Sequence, residues 1–307
     1  MKLLKSNFLP LVLLILLSLV FFKDFTLFGK LPIPADTIVG MYYPFRQIYS
    51  DTNPNGIQFK NFMVTDPVRQ QYPWKELAMA GFKKGELPLW NPYNFTGYPL
   101  LANFQAAPFY PFNFLFFIFP FSLGWSIFIL IQQPMAALFM FLFLRNLKLS
   151  KVSSFFGAVA FAFSGFFVSW LEWGNIVSTG LWLPLILLSI DKIFKNNKKY
   201  LAVLLLGLVS SFFAGHLQIF FYLSLISFAY FIFRLNPLKN LKKNIPVGLV
   251  FLMFLAITSI QSIPTLSFIA QSARGVDQDW HKEGWFIPLQ NAIQFVAPDF
   301  FGNPATL

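Results

Sequence analysis

Two acids stand at the head of related patterns. Asp36-Thr-Ile-Val-Gly-Met-Tyr-Tyr-Pro-Phe-Arg46 and Asp66-Pro-Val-Arg-Gln-Gln-Tyr-Pro-Trp-Lys75 each place a carboxylate about two helical turns ahead of a Tyr-Pro-aromatic-base group. A carboxylate at such a position serves as a general base for a hydroxyl acceptor or as an oxygen ligand for a hard divalent cation. Two acids could divide these tasks. The same residues suit helix capping, because an Asp ahead of a helical stretch accepts from free backbone N–H groups and Pro67 fits a first helical position. Capping and catalysis are compatible. Arg46, Arg69 and Lys75 are lone cations among aromatics, suited to phosphate contact or to ordinary snorkelling at a surface.

Further candidates lie downstream. Glu172 sits between tryptophans in Trp170-Leu-Glu-Trp173, the composition of an interfacial helix end. Gly215-His-Leu-Gln218 reads as a turn in which His216 and Gln218 either touch a ligand or hold the turn. Trp90 and Asn91 belong to the run Gly85 to Pro111, which is too rich in Pro, Asn, Gly and Trp to be a bilayer-spanning helix although strongly apolar segments flank it. Long, proline-punctuated loops of this kind usually carry function. Aromatic content and a lack of charge after Glu86 predict a compact cap against the membrane rather than a disordered linker. There is no Walker-type loop, dinucleotide fingerprint, His-Glu-x-x-His or Gly-x-Ser-x-Gly element, and no cysteine for thiol, disulfide or cysteine-ligated metal chemistry.

The elements that must position these residues are membrane helices. With 56% hydrophobic and 11% charged residues and a mean hydropathy of +0.61, the chain has less than half the charge of an ordinary soluble domain and is read as an integral membrane protein. A first span over 1–22 begins with a basic start and lacks a small-x-small cleavage site, which predicts an uncleaved helix with its N-terminus in the cytoplasm. Six further spans are placed at about 123–144, 153–171, 176–194, 200–215, 217–233 and 246–264. The large loop 23–122 and the tail 265–307 then lie outside, and Phe112 to Phe121, apolar but short and containing Pro120, is expected as an interfacial helix. This arrangement puts every acid except Asp191 outside and concentrates Lys and Arg inside, so the net charge of +11 is a topology signal and not a nucleic-acid footprint. The inner loops are short and basic, which directs any chemistry to the outer face and to a lipid-linked donor rather than a nucleotide.

Several stretches carry a resemblance: Asp66-Pro-Val-Arg-Gln-Gln-Tyr-Pro-Trp74, Gly85-Glu-Leu-Pro-Leu-Trp-Asn-Pro92, Gly97-Tyr-Pro-Leu-Leu-Ala-Asn-Phe-Gln105, Gly215-His-Leu-Gln218 and Pro298-Asp-Phe-Phe-Gly302. Through them the chain resembles the bacterial YfhO-type membrane proteins, polytopic relatives of the GT-C glycosyltransferases. The resemblance implies an all-α polytopic membrane protein of the bacterial plasma membrane, a GT-C-like helical bundle with a large extracytoplasmic loop after the first transmembrane helix. It also implies transfer of a sugar from a polyprenyl-phosphate donor to a cell-envelope polymer or another acceptor. Asp66 then takes the base role with Asp36 second, and Arg69, Lys75 and Arg274 become phosphate-contact candidates. No cofactor is specified, and a divalent cation is compatible with the acids. Members of the family are usually longer, so further spans are expected beyond Leu307. A lipid or polymer transporter, or a noncatalytic envelope-assembly protein, is the alternative; its mark would be ionisable residues within spans, where few occur.

Overall fold

A computed structural model describes residues 8–54, 64–235, 241–273 and 287–302. Apart from a two-stranded ribbon, the regular elements are helical: α1 (Phe8–Phe21), α2 (Tyr72–Lys83), α3 (Phe121–Asn146), α4 (Lys151–Ala162), α5 (Leu183–Phe194), α6 (Tyr200–Phe213), α7 (Leu217–Leu235) and α8 (Leu241–Gln271), with shorter helical turns between them. Among the described residues, five helical stretches have the length and composition to cross a membrane: 121–146, 151–169, 176–194, 217–234 and 244–271. A polytopic membrane protein follows.

The expected spans at 8–22 and 200–215 differ from the other five. α6 is apolar but only 14 residues, about 21 Å against a hydrocarbon core of about 30 Å, and α1 is apolar over its described residues Phe8–Phe21. Helical hydrogen bonding continues past α1, with Phe22 N–H donating to Ser18 and Thr26 N–H to Phe22 at 2.9 Å, so the first helical stretch runs on through the charged Lys23 and Asp24. The interfacial helix expected at 112–121 is instead a 3-10 turn, Pro111–Phe114, and one α-helical turn, Leu115–Ile118. Pro120 stops that turn because it cannot donate to the ladder, and then sits ahead of α3 as its cap residue.

The helices pack around a core that includes Trp125, Phe128, Ile129 and Phe141 of α3, Val177, Leu181 and Ile186, and Ala158 and Ala162 of α4. Small residues permit close approach, as at Gly207 of α6, where an added Cβ would lie 2.9 Å from Ile186. At one end, Asp191 is wholly buried and joins three helices: Asn146 Nδ2 donates to it at 2.7 Å, Tyr230 hydroxyl at 3.0 Å and Arg234 Nε at 2.5 Å. A buried carboxylate needs such partners in a low-dielectric interior.

At the opposite end lies the large loop. Its second acid pattern forms a π-helical turn, Pro67–Gln71, that runs into α2. Pro73 has no N–H for the carbonyl four residues back, so the turn ahead of it departs from the α-helical ladder. Residues 85–111 are irregular apart from the antiparallel pair Trp90–Asn91 and Tyr98–Pro99 and a 3-10 turn at Phe104–Ala106, yet Leu100, Ala102, Phe104, Ala106, Ala107 and Tyr110 are buried. Long-range bonds fix the segment. Thr265 Oγ1 of α8 donates to Ala102 at 3.1 Å, Gln261 Nε2 donates to the Leu101 carbonyl, and Lys75 Nζ and Asn113 Nδ2 both reach the Ala107 carbonyl at 2.8 Å.

Gly215, at φ +93°, closes this end, since a Cβ there would stand 2.7 Å from Ala107 Cβ and 2.9 Å from the Phe104 carbonyl. Gly215→Ala therefore meets both a left-handed backbone and two close neighbours. The expected loss is about 1 to 3 kcal/mol of stability, measured as a lower unfolding midpoint in detergent; an unchanged midpoint would show that the loop does not depend on this contact.

Candidate functional site

The loop end carries a cleft of about 570 Å³. Phe21, Phe22 and Phe25 at the end of the first helical stretch form part of its wall, and Asp36 and Glu172 reach it from segments far apart in the chain. Glu172 occupies a 3-10 turn, Leu171–Trp173, that ends at left-handed Gly174. There a side chain would come within 2.8 Å of Phe128, so the turn is pressed directly onto α3. Burial pushes the Glu172 carboxyl above the usual carboxylate range, and the negative charge of Asp36 pushes it further in the same direction. Asp36 itself is exposed, and Asp24 in the same cleft pairs with Lys30 at 3.7 Å at the surface. The cleft thus sets the partly desolvated Glu172 carboxyl against the exposed acids Asp24 and Asp36 beside an apolar wall.

The other sequence candidates are distributed around this centre. Asp66 is half-buried at the N-cap position of the π-helical turn, but its side chain makes no cap bond and accepts from Gln70 Nε2 at 3.2 Å. Asp36 is the first residue of the helix Asp36–Met41, behind Ala35 at the cap position. Neither acid therefore serves as a side-chain cap. The two acid patterns also fold differently, since Tyr43-Pro44 separates two short helices, Asp36–Met41 and Phe45–Ile48, whereas Tyr72-Pro73 opens α2. Arg69 bridges them, its guanidinium lying 5.4 Å from the centre of the Tyr42 ring, and it shares a surface pocket with Trp74 and Tyr98.

Trp90 is exposed beneath Gly97, which has no side chain to collide with the indole. Asn91 is buried and holds the hairpin, accepting from the Tyr93 N–H and donating to Asn94 Oδ1, each at 3.0 Å. His216 Nδ1 accepts from the Ile219 N–H at 3.3 Å, capping α7, and burial lowers its pKa. Gln218 is exposed and donates to the Tyr222 hydroxyl at 3.0 Å. Arg274 lies outside the described residues.

Lys75 is the candidate whose setting departs furthest from a surface cation. It is 4% exposed, donates to Ala107 and stands 5.7 Å from the centre of the Phe128 ring. Burial alone pulls its pKa down from 10.5 to about 7. Around it are polar side chains that the sequence pattern did not single out: Gln71, Gln105, Asn113 and Asn175. The available signal was the occurrence of amides within aromatic, almost chargeless sequence. Among the described residues, no three acidic or histidine side chains stand together to hold a metal. Asp36 and Glu172 fall short of the oxygen ligand set of a self-sufficient cation site, and no step below depends on a metal.

The model of the family described as bacterial membrane protein YfhO matches residues 96–299, well over half of the chain. The chain therefore belongs to the YfhO family of bacterial membrane proteins. Glu172, His216 and Gln218 fall within the matched region, whereas Asp36, Asp66 and Lys75 precede it. No curated protein and no solved structure gives a match.

The depressed Lys75 pKa has a stability consequence whose sign is fixed. Below about pH 7 the amine is protonated in both the folded and unfolded states, and its burial penalty is fully present. Between about 7 and 10.5 the unfolded chain binds the additional proton, so stability rises with pH; above that window both states are neutral. Lys75→Met retains most of the volume and removes the titration. Its unfolding midpoint should vary less between pH 7 and pH 10 than that of the parent, and parallel profiles would contradict the buried-amine assignment.

Proposed function

We propose that the protein is an extracytoplasmic glycosyltransferase, moving a sugar from a polyprenyl-phosphate donor to a hydroxyl of a cell-envelope polymer or another acceptor. One observation carries the reading: the cleft joins Glu172 and Asp36 beside the aromatic end of the first helical stretch. A lipid-linked donor requires such a junction, with its isoprenoid in the bilayer and its sugar phosphate at a polar site just above.

In the proposed step, the acceptor oxygen forms a bond to the anomeric carbon as the carbon–oxygen bond to phosphate breaks. The bonding pair leaves with the polyprenyl phosphate, and the acceptor proton passes to a carboxylate. Glu172 suits that last role because its raised pKa brings it closer to the operating pH than an ordinary carboxylate, and a base is most effective there. Burial keeps the pKa high, and the charge of Asp36 adds to the shift. Asp66, the first-choice base from its sequence context, is held by Gln70 and does not line the cleft; it is assigned here to positioning the acceptor. Arg69 is proposed for phosphate contact, where a cation must interact more strongly with the departing phosphate than with the bound donor to speed transfer.

The proposed orientation places the loop end outside and the Asp191 end in the cytoplasm, which the charge segregation supports. Because the chain has no cysteine, Ser50→Cys introduces a unique thiol in the loop. An impermeant maleimide should label it in intact cells; labelling only after the inner face is exposed would reverse the orientation.

For the chemistry, the full chain is assayed with a polyprenyl-phosphate sugar and an envelope acceptor. Glu172→Gln preserves shape and should lower kcat by about 10²- to 10⁴-fold with membrane abundance unchanged. Asp36→Asn should cost less and move the base-limited arm of the pH profile to lower pH, because the charge that raises the Glu172 pKa is gone. Asp66→Asn should reduce transfer at subsaturating acceptor. Parental turnover in Glu172→Gln would remove it from the base role, and parental turnover in all three variants would refute acid-assisted transfer at this cleft.

A further inference from the structure

The turn carrying Glu172 also serves a second, smaller cavity. Trp173 and, beyond Gly174, Asn175 line it together with Gln71 and Lys75 from the loop, Gln105, and Trp125 of α3. Gln71, Lys75 and Asn175 are 3%, 4% and 4% exposed, so these polar groups are built into the interior. The more exposed Gln105 and Trp173 form its outer edge.

The internal hydrogen bonds leave the cavity incomplete. Gln71 Nε2 and Asn175 Nδ2 both donate to Gln105 Oε1, at 2.9 and 3.3 Å. Gln71 Oε1, Asn175 Oδ1 and Trp125 Nε1 remain buried without partners. Lys75 Nζ uses one hydrogen on Ala107 and has others to give. Leaving such groups unpaired costs free energy comparable to a lost hydrogen bond, which is the usual mark of a bound water or ligand.

Unpaired acceptors and unpaired donors around one cavity match a group that both donates and accepts, which is the chemistry of a hydroxyl. An anion would face the two amide oxygens. A metal cation would face Lys75 with no carboxylate in the lining. The free space holds about one water-sized group, so the rest of any ligand must remain outside, at Trp173 and Gln105. Aromatic faces accept the apolar C–H surface of a sugar while amides take its hydroxyls.

We propose that this cavity is a subsite for the hydroxyl at the end of a hydroxymethyl arm of a neutral sugar. Gln71 and Asn175 accept from the arm, Trp125 and Lys75 donate to it, and Trp173 supports the sugar ring. A water occupies the position when no sugar is bound. The inference rests on the sugar-transfer reading for its substrate class and narrows that class to sugars with an uncharged hydroxylated arm.

The test uses the full chain in lipid nanodiscs, without a transfer assay as its primary readout. Methyl glycosides of glucose, galactose and N-acetylglucosamine are titrated by calorimetry and tryptophan fluorescence, with methyl glucuronide as the anionic control. At least one neutral glycoside should bind saturably and more tightly than the glucuronide. Gln71→Met and Asn175→Leu, each close in volume, should weaken that binding by about tenfold or more, the size expected when a buried hydrogen bond to the ligand is lost. Unfolding midpoints separate this effect from misfolding. Should either variant fail to fold, the neutral-to-anionic preference of the parent remains decisive. No saturable neutral binding, equal binding of the glucuronide, or folded variants with parental affinity would each overturn the subsite. Neutral-sugar binding by a parent that transfers nothing would refute the transferase reading alone, whereas transfer without this binding would refute the subsite alone.

Discussion

The fold depends on satisfying the carbonyls of an irregular chain segment beside a membrane. Residues 85–111 have almost no ladder of their own, and unpaired backbone groups are costly where water is scarce. Side chains from elsewhere therefore replace the ladder. α8 donates to Leu101 and Ala102 through Gln261 and Thr265, while Lys75 and Asn113 converge on Ala107, and Asn113 also reaches Pro108 at 2.8 Å. Each donor is buried, so the bonds are not exchanged readily with solvent. This explains how a proline-rich loop can be as fixed as the helices on which it rests, and why a lysine lies in the interior with no carboxylate beside it.

The same constraint sets the electrostatics of the candidate site. Gln105 of the loop and Trp173 line one small cavity while Gly174 lies against Phe128 of α3, so the turn Leu171–Trp173 is packed from two sides and what it carries is partly desolvated. Glu172 is raised for this reason first and by Asp36 second. A carboxyl and an amine, both shifted toward neutrality by burial, consequently lie in neighbouring parts of one packed end. Shifted titrations of this kind mark functional sites more often than ordinary surfaces, and here they arise from the packing that also orders the loop.

Much of the helical architecture was legible because span length and hydropathy are one-dimensional properties. The stretches at 121–146, 176–194 and 217–234 lie close to the boundaries read from sequence. α6 shows the limit: composition marks it as apolar, but only the structure shows that its regular helix stops at 14 residues. The acids at 36 and 66 stood out by a local repeat, yet that repeat does not survive as similar structure, because the two Tyr-Pro pairs occupy different backbone settings. Glu172 was visible only as an acid between tryptophans. Its partnership with Asp36 joins segments far apart in the chain, and no local pattern encodes such a contact. Gln71, Gln105 and Asn175 were harder still, since an amide in an aromatic loop has the same appearance in sequence whether it faces water or a cavity.

Asp191 provides the counterpart at the far end. It was legible as the one acid on a basic side, and burial within three partners explains why it is there: Asn146, Tyr230 and Arg234 come from α3 and α7, so one carboxylate on α5 holds three helices at a common point. An ionisable group so fully engaged is poorly suited to relay a transported charge, because releasing it would leave a buried charge uncompensated. Its environment therefore accounts for the acid without a transport path. With the helices pinned there by a polar cluster and joined at the other end by aromatic and backbone contacts, the clefts fall at the loop end, where the connecting segments are long enough to bring Asp36, Glu172 and Asn175 into one neighbourhood.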